Sequence, residues 1–310
     1  MSQTTIVRPS GAHPLRLDFG MRLHLSLAEQ AALTFFAYIS IAALAFNLAA
    51  PDLSIVMTLN TVTFAAMLAL RRNRERAHWI DATADLFPAL LILVAYRESG
   101  LLLAPDPTHH LDYIFIQWDH DLLDNPFVQA VLQAGAPGLQ HYLEFAYLLC
   151  YPLVPLGVAA IYSSAPRNAA RKLAAAESRR AIAMDDFWGT VLMATLFCYA
   201  VYPFFPLTPP RVLFADVPGP HVYPLLRQWN FWLLDHYSVQ ACIFPSGHVA
   251  AATAVALAVR KHAPRLGALF MFLAVSVALA TVYGRYHYAA DAIAGILVGV
   301  AAYRLSELLK

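Results

Sequence analysis

His287 and Asp291 stand four residues apart in YGRYHYAAD, residues 283–291. On a helix that spacing puts both side chains on one face, where one can hydrogen-bond the other. A carboxylate behind an imidazole fixes the ring's tautomer and supports positive charge on it, the arrangement used when histidine acts as a base or nucleophile. A second histidine, His248, closes the segment FPSGH, residues 244–248. Opening a helix, Ser246 and Gly247 would offer a hydroxyl and backbone N–H groups to an anion, assisted by the helix dipole. A third segment, FPLTPPR at 205–211, ends in Arg211, whose guanidinium can clamp phosphate oxygens in bidentate fashion.

Two histidines, one carboxylate and phosphate donors could split a phosphoester bond. One histidine attacks phosphorus in line, the other protonates the departing oxygen, and the donors stabilise the equatorial oxygens. General-acid help from His248 would contribute roughly 10²- to 10⁴-fold. This chemistry calls for no cofactor and no metal.

The elements that must position these residues are set by composition. The chain has 310 residues, is 59% hydrophobic and only 13% charged, and its mean hydropathy is +0.54, too apolar for a water-soluble domain. With 21 Lys and Arg against 20 Asp and Glu there is no basic field to recruit nucleic acid. Cys150, Cys198 and Cys242 form no CxxC pair, which argues against a zinc knuckle, an iron–sulfur site or a disulfide scaffold.

A membrane helix needs about 20 mostly apolar residues. Such runs lie near 28–49, 54–70, 82–104, 139–162, 184–205, 247–260, 266–284 and 287–304, so an all-α integral membrane protein with about eight transmembrane helices is expected. Lys and Arg gather in cytoplasmic loops. With the N-terminus inside, Arg8, Arg16 and Arg22, Arg71, Arg72, Arg74 and Arg76 fall on the cytoplasmic side. The same side takes Arg167, Arg171, Lys172, Arg179 and Arg180, then Arg260, Lys261 and Arg265, then Arg304 and Lys310. That places 17 of the 21 cations inside and leaves Arg97, Arg211, Arg227 and Arg285 outside, at the same depth as the three chemical segments. Both termini are thus expected in the cytoplasm and the site on the extracytoplasmic side. The first apolar run is read as an uncleaved anchor rather than a signal peptide.

Two outer loops are large. Residues 105–138 hold His109, His110, Asp112, Asp119, Asp121 and Asp124 among aromatic residues. Adjacent histidines point in different directions on a regular element, so no metal site is expected there. The acidic group reads as solvated surface or a headgroup selector. Residues 206–246 hold seven prolines and LLRQWNFWLLD (225–235), whose Trp229, Phe231 and Trp232 suit either a helix in the headgroup layer or an ordinary packed loop. His13, His24, His78, His236 and His262 read as packing or interfacial residues. Asp291 inside a span, at a cost on the order of 2.5–3.5 kcal/mol, reads as functional. Arg97, beside Glu98, is either half of an interfacial ion pair or a substrate contact.

PPR at 209–211, PSGH at 245–248 and HYAADAIAG at 287–295 resemble the three motifs of the type 2 phosphatidic acid phosphatase superfamily. The resemblance runs from about residue 115 to 304 and implies a six-helix phosphatidic-acid-phosphatase-like bundle in the C-terminal two-thirds. It divides the chain into N-terminal membrane helices, 1–104, and a catalytic membrane domain, 105–310. It implies His287 as the nucleophile forming a phosphohistidine, Asp291 as its partner, His248 as general acid, and Arg211, Ser246 and Gly247 as phosphate ligands. The family's Lys seven positions before the first-motif arginine and Arg six before the third-motif histidine are replaced here by Phe204 and Thr281. Arg285 or Arg97 would have to stand in. The version without those cations is similar to the inositol phosphorylceramide synthase branch, as are DHDLLDNPFVQAVLQ (119–133) and the polar Gln140, His141 and Glu144, the last a candidate substrate contact. Gly247, however, is the residue of the phosphatases.

The expected activity is a membrane lipid phosphotransferase, taking a phospholipid or polyprenyl-phosphate donor and passing a phosphoryl or phospho-alcohol group to a lipid alcohol. With water as acceptor it would be a lipid phosphatase. A transporter or flippase, or a catalytically silent scaffold, explains the charged residues less well. A bacterial inner membrane is the expected setting.

Overall fold

The computed structural model describes residues 25–73, 76–103, 110–126, 128, 130, 136–164, 170–216, 225–239, 241 and 244–309. Arg8, Arg16, Arg22, Arg74, Arg167, Lys310, His13, His24, His109 and residues 217–224 of the second outer loop lie outside them. Among the described residues every extended element is a helix. In chain order they are α1 (Leu27–Ala45), α2 (Ala50–Asn73), α3 (His78–Leu101), α4 (His110–Leu123), α5 (Pro137–Leu148) and α6 (Leu153–Ser164). There follow α7 (Ala170–Val201), α8 (Leu225–Tyr237), α9 (Gly247–His262), α10 (Pro264–Tyr283) and α11 (Ala289–Leu308).

Sequence sets where these helices start and which face they bury. Ser26 caps α1: its Oγ accepts from Glu29 N at 3.2 Å while Glu29 Oε2 accepts from Ser26 N at 2.8 Å. Along α10, Gly267, Phe270, Ala274, Val277, Ala278 and Thr281 are buried, whereas Leu266, Leu269, Phe272, Val275 and Leu279 are exposed. An apolar stripe left bare at helical spacing is what a helix shows when lipid, not water, surrounds it. α2 goes further, burying only Val56 and Thr63.

Among the described residues six helices are long and apolar enough to cross a membrane: α1, α2, α3, α10, α11 and the stretch Arg179–Phe204. A bent pair, α5 with α6, makes a seventh if taken as one span. It corresponds to the run expected at 139–162, bent by 74° where Pro152, lacking an N–H, interrupts the hydrogen-bond ladder. The sixth expected run, 247–260, is α9. Its 16 residues reach about 24 Å at 1.5 Å each, short of the ~30 Å hydrocarbon core, and most are buried. α9 is instead the central helix, packed against α6, α7, α10 and α11.

Close approach of α9 and α11 depends on two glycines. A Cβ on Gly295 would come 2.7 Å from Ser246 O, and one on Gly299 would come 2.7 Å from Thr253 Cβ. This small-xxx-small pairing lets the two backbones touch, and it aligns the N-terminus of α9 with the N-terminus of α11.

Candidate functional site

The N-terminal ends of α9 and α11 carry the two histidines. Ser246 N donates to Asp291 O at 3.1 Å, tying the two ends together through the backbone. The rings of His248 and His287 are then 5.8 Å apart between centroids and steeply inclined, at 69°. His287 Nδ1 lies 3.3 Å from Asp291 Oδ2, and both residues are buried. That carboxylate oxygen also accepts Tyr288 N at 3.1 Å, so Asp291 caps its own helix while it holds the ring.

Ser246 Oγ accepts Val249 N at 3.4 Å, and its N–H is spent on Asp291, so it acts first as the cap of α9. The N–H groups of Gly247 and His248 belong to the first turn, ahead of the first intrahelical bond, Ala250 N to Ser246 O at 2.9 Å. Gly247 is packed face-on: a Cβ there would stand 3.1 Å from the Tyr199 ring.

Arg211 and Arg285 meet through the main chain, with Arg211 N donating to Arg285 O at 2.8 Å. Arg211 lies within electrostatic reach of His248, Tyr147, Tyr151 and Tyr96. Arg285 ends α10 in an unusual way. Tyr286 N bonds Thr281 O at 2.9 Å and Arg285 N bonds Val282 O at 3.0 Å, a Schellman pattern whose left-handed position normally holds glycine. Here it holds Arg285, at φ 60°. Burial, then the neighbouring Arg227, lowers the pKa of its guanidinium.

These features define one site: a carboxylate-backed histidine, a second histidine facing it, and two arginines on one backbone junction. The model of one family, the PAP2 superfamily, matches residues 115–305. The chain belongs to the PAP2 superfamily. A PA-phosphatase related-family protein of Dictyostelium discoideum is 40% identical over 57 residues, which are 18% of this chain and 10% of that relative. The match thus spans a tenth of that curated relative's length. No solved structure matches the chain.

This PAP2 superfamily member differs from the sequence expectation at several positions. Phe204 is exposed and rests on Phe46, and Thr281 is buried with its carbonyl accepting Tyr286 N and His287 N, so neither position lines the site with charge. Arg97 is exposed on α3, within electrostatic reach of Tyr96, as is Arg211. Glu98 beside it is fully buried. In the orientation that satisfies both amide atoms, Asn60 donates to its two oxygens at 3.0 Å.

Glu144 has a different place from that of a substrate contact. It is buried, accepting Arg227 Nη1 at 2.5 Å, Asn230 Nδ2 at 2.9 Å and Tyr286 OH at 2.6 Å. Arg227 Nη2 also donates to Gly284 O at 3.2 Å, one residue before Arg285. The outer cation Arg227 is therefore the bolt that fastens α8 to α5 and to the loop bearing Arg285. α8 keeps Trp229 and Trp232 exposed and turns Arg227, Asn230 and Leu234 inward, as a helix lying on a bilayer surface would.

The acidic loop is only partly solvated surface. Asp121 and Asp124 are exposed, but Asp112 is buried, accepting Thr208 N at 2.8 Å, and Asp119 accepts Ala289 N at 2.8 Å. They are seven residues apart, two turns of α4, and this i, i+7 spacing was the signal available in sequence. Burial pushes the Asp119 carboxyl up to about 6, against the pull of two backbone donors at Ala289 and Ala290.

Tyrosines complete the wall. Tyr147 and Tyr151 each stand 5.8 Å from the His248 ring, and Tyr147 stacks on Tyr286 at 3.7 Å. They were invisible as site residues because an aromatic on an apolar helix carries no mark of function. Of the isolated histidines, His236 stacks on Trp232 and His262 lies 2.9 Å from Asp186.

Proposed function

We infer that this protein is a membrane lipid phosphotransferase working through a phosphohistidine. The observation that carries the reading is His248 facing the His287–Asp291 pair beside the Arg211–Arg285 junction. Asp291 accepts the Nδ1 proton of His287, leaving Nε2 to attack phosphorus. The P–N bond forms as the P–O bond to the leaving group breaks, and His248 gives its proton to the departing oxygen. His248 then takes the proton of the acceptor hydroxyl, the acceptor oxygen attacks phosphorus, and the bond to His287 breaks. Arg211, Arg285, and the N–H groups of Gly247 and His248 would hold the equatorial oxygens, with Ser246 fixing that helix end.

The donor is a phospholipid or polyprenyl phosphate. The acceptor is a lipid alcohol, so that a phosphoryl or inositol-phosphate-like headgroup moves between lipids, as the resemblance to the inositol phosphorylceramide synthase branch implies. The tyrosines around His248 support this by restricting water. The second reading, release to water, is favoured by Gly247 and by the name of the Dictyostelium relative.

The loop charges support both termini in the cytoplasm and a site on the extracytoplasmic face of a bacterial inner membrane. Termini on one side need an even number of crossings, so this reading counts α9, sheathed by α6, α7, α10 and α11, as the eighth despite its length. In this reading the chain divides into an N-terminal part, 1–104, and a catalytic part, 105–310. Purified protein would be given phosphatidic acid, a polyprenyl diphosphate or phosphatidylinositol, each with and without ceramide or diacylglycerol. New headgroup-bearing lipid without free phosphate is the expected result. Acceptor-independent phosphate release would make the enzyme a phosphatase, and equal silence in wild type and His287→Ala would return the transporter reading.

A further inference from the structure

Two surface helices, α4 and α8, are each fastened to the end of a membrane span. Asp119 of α4 accepts the N–H of Ala289, the first residue of the span α11, at 2.8 Å. Arg227 of α8 donates to the carbonyl oxygen of Gly284 at 3.2 Å, one residue past Tyr283, where the span α10 ends. Spans enter and leave the hydrocarbon at such residues, so both helices lie at the level of the headgroups.

Each helix has three faces rather than two. On α4 the protein side holds Asp112, Phe115 and Asp119. A second strip, Ile114, Trp118 and Leu122 at four-residue spacing, is apolar and exposed. A third, with Gln117 and Asp121, is polar and exposed. α8 repeats the plan: Arg227, Asn230 and Leu234 face inward, Leu225, Trp229 and Trp232 form the exposed apolar strip, and Gln228 and Asp235 the exposed polar one. A helix wholly in water leaves the apolar strip without a partner, and one in hydrocarbon leaves the polar strip without one. At the boundary both are satisfied, the apolar strip among the upper acyl chains and the polar strip in water, with the indole rings at the level they favour.

The charge pattern narrows the lipid. Among the lysines and arginines of the chain only Arg227 falls on either helix, and it is buried against Glu144. Anionic leaflets are gripped by exposed Lys and Arg, and these helices expose neither. Their grip is apolar and aromatic, which suits a lipid surface without net charge.

We propose that α4 and α8 are embedded in the headgroup layer of a zwitterionic phospholipid leaflet, held by insertion of their indole and aliphatic side chains. They carry the motif loops with them. Asp112 accepts Thr208 N at 2.8 Å, three residues before Arg211, and Gly284 directly precedes Arg285. The two arginines are thereby held at the depth of a lipid phosphate. The proposal concerns where the helices lie, and it stands whatever reaction the site performs.

The test uses the full chain in phosphatidylcholine vesicles and reads tryptophan depth with phosphatidylcholine spin-labelled high or low on the acyl chain. Emission lost in Trp118→Phe reports α4, and emission lost when Trp229→Phe and Trp232→Phe are combined reports α8; Trp79 and Trp188 are common background. Both difference signals are expected about 5–10 Å into the headgroup–acyl boundary, quenched more by the high label than by the low one. They should be shielded from aqueous acrylamide and unchanged by high salt or by admixed phosphatidylglycerol. Leu122→Trp, which adds a reporter and removes none, should read the same depth and covers the case of a misfolded phenylalanine variant. Signals reached by acrylamide but not by the lipid labels would make the strips solvated surface and overturn the proposal. Shielding from both would mean that a protein partner or a second copy covers them, with the same consequence. Lipid quenching seen only with phosphatidylglycerol, and lost in high salt, would overturn the zwitterionic assignment.

Discussion

The backbone N–H of Arg211 donates to the carbonyl oxygen of Arg285 at 2.8 Å, joining the first and third sequence motifs at their cations. Sequence left Arg285 and Arg97 as equal substitutes for the charges missing at Phe204 and Thr281. The junction separates them, because Arg285 hangs from the same backbone contact as Arg211, whereas Arg97 is exposed on α3. Arg285 also occupies a left-handed position, φ 60°, that costs a non-glycine residue about 1–2 kcal/mol. A cation kept at such a position is a candidate for function.

Arg285→Gly separates fold from chemistry. Glycine relieves the left-handed strain, so thermal stability in detergent should rise, by up to about 1 kcal/mol. The initial rate of phosphate transfer should fall about 10²-fold if the guanidinium stabilises developing charge. A stable variant with an unchanged rate would reduce Arg285 to a helix terminator.

Gly295→Ala places a Cβ 2.7 Å from Ser246 O, a backbone atom that yields only by moving α9. The intrinsic helix gain of alanine is about 1 kcal/mol, while overpacking costs about 1–3 kcal/mol. A net loss of stability is expected, with activity falling as His248 shifts. Gly138→Ala, in the first turn of α5 where a Cβ meets nothing within 4 Å, is the matched control: it should leave activity unchanged and stability unchanged or slightly raised.

Glu144→Gln leaves Arg227 buried without its carboxylate. Removing one partner of such a pair costs about 3–5 kcal/mol, so chemical denaturation should show a large loss, accompanied by reduced transfer as the Gly284–Arg285 loop loosens. Glu144→Leu combined with Arg227→Met should recover most of the stability. A double variant as unstable as the single one would count against an electrostatic bolt.

Asp119 gives a pH signature. Its folded pKa, about 6, is raised above the ordinary carboxylate value. The folded state therefore holds a proton that the unfolded state has lost between about pH 4 and 6, and the stability linked to it declines as pH rises through that window. The thermal midpoint of wild type relative to Asp119→Asn should be higher at pH 4.5 than at pH 7.5. A difference independent of pH would remove Asp119 from the buried cap of α11.

Much of this was legible in sequence for a physical reason. PSGH and HYAAD mark short stretches where helix starts, small residues and ionisable groups coincide, and the loop charges led to the expectation that they share one depth. His248, His287 and Asp291 duly meet. What stayed hidden involves partners distant in the chain. Glu144 read as a substrate contact because nothing local announces Arg227, 83 residues on. Asp112 and Asp119 read as surface because a solvated carboxylate and one capping a distant N–H look alike until α4 is laid against Thr208 and Ala289. The span count differed at α9 because a helix sheathed by other helices can be apolar without being long enough to face lipid.

The most direct measurement is a rapid quench of the wild-type reaction with headgroup-phosphate-radiolabelled donor and no lipid alcohol acceptor, so that transfer out of any intermediate is slowed. Acid-labile, alkali-stable phosphate on the peptide bearing His287, absent from His287→Ala, is the result expected of a phosphohistidine enzyme. Undiminished turnover in His287→Ala, or label mapped to any other residue, would contradict it.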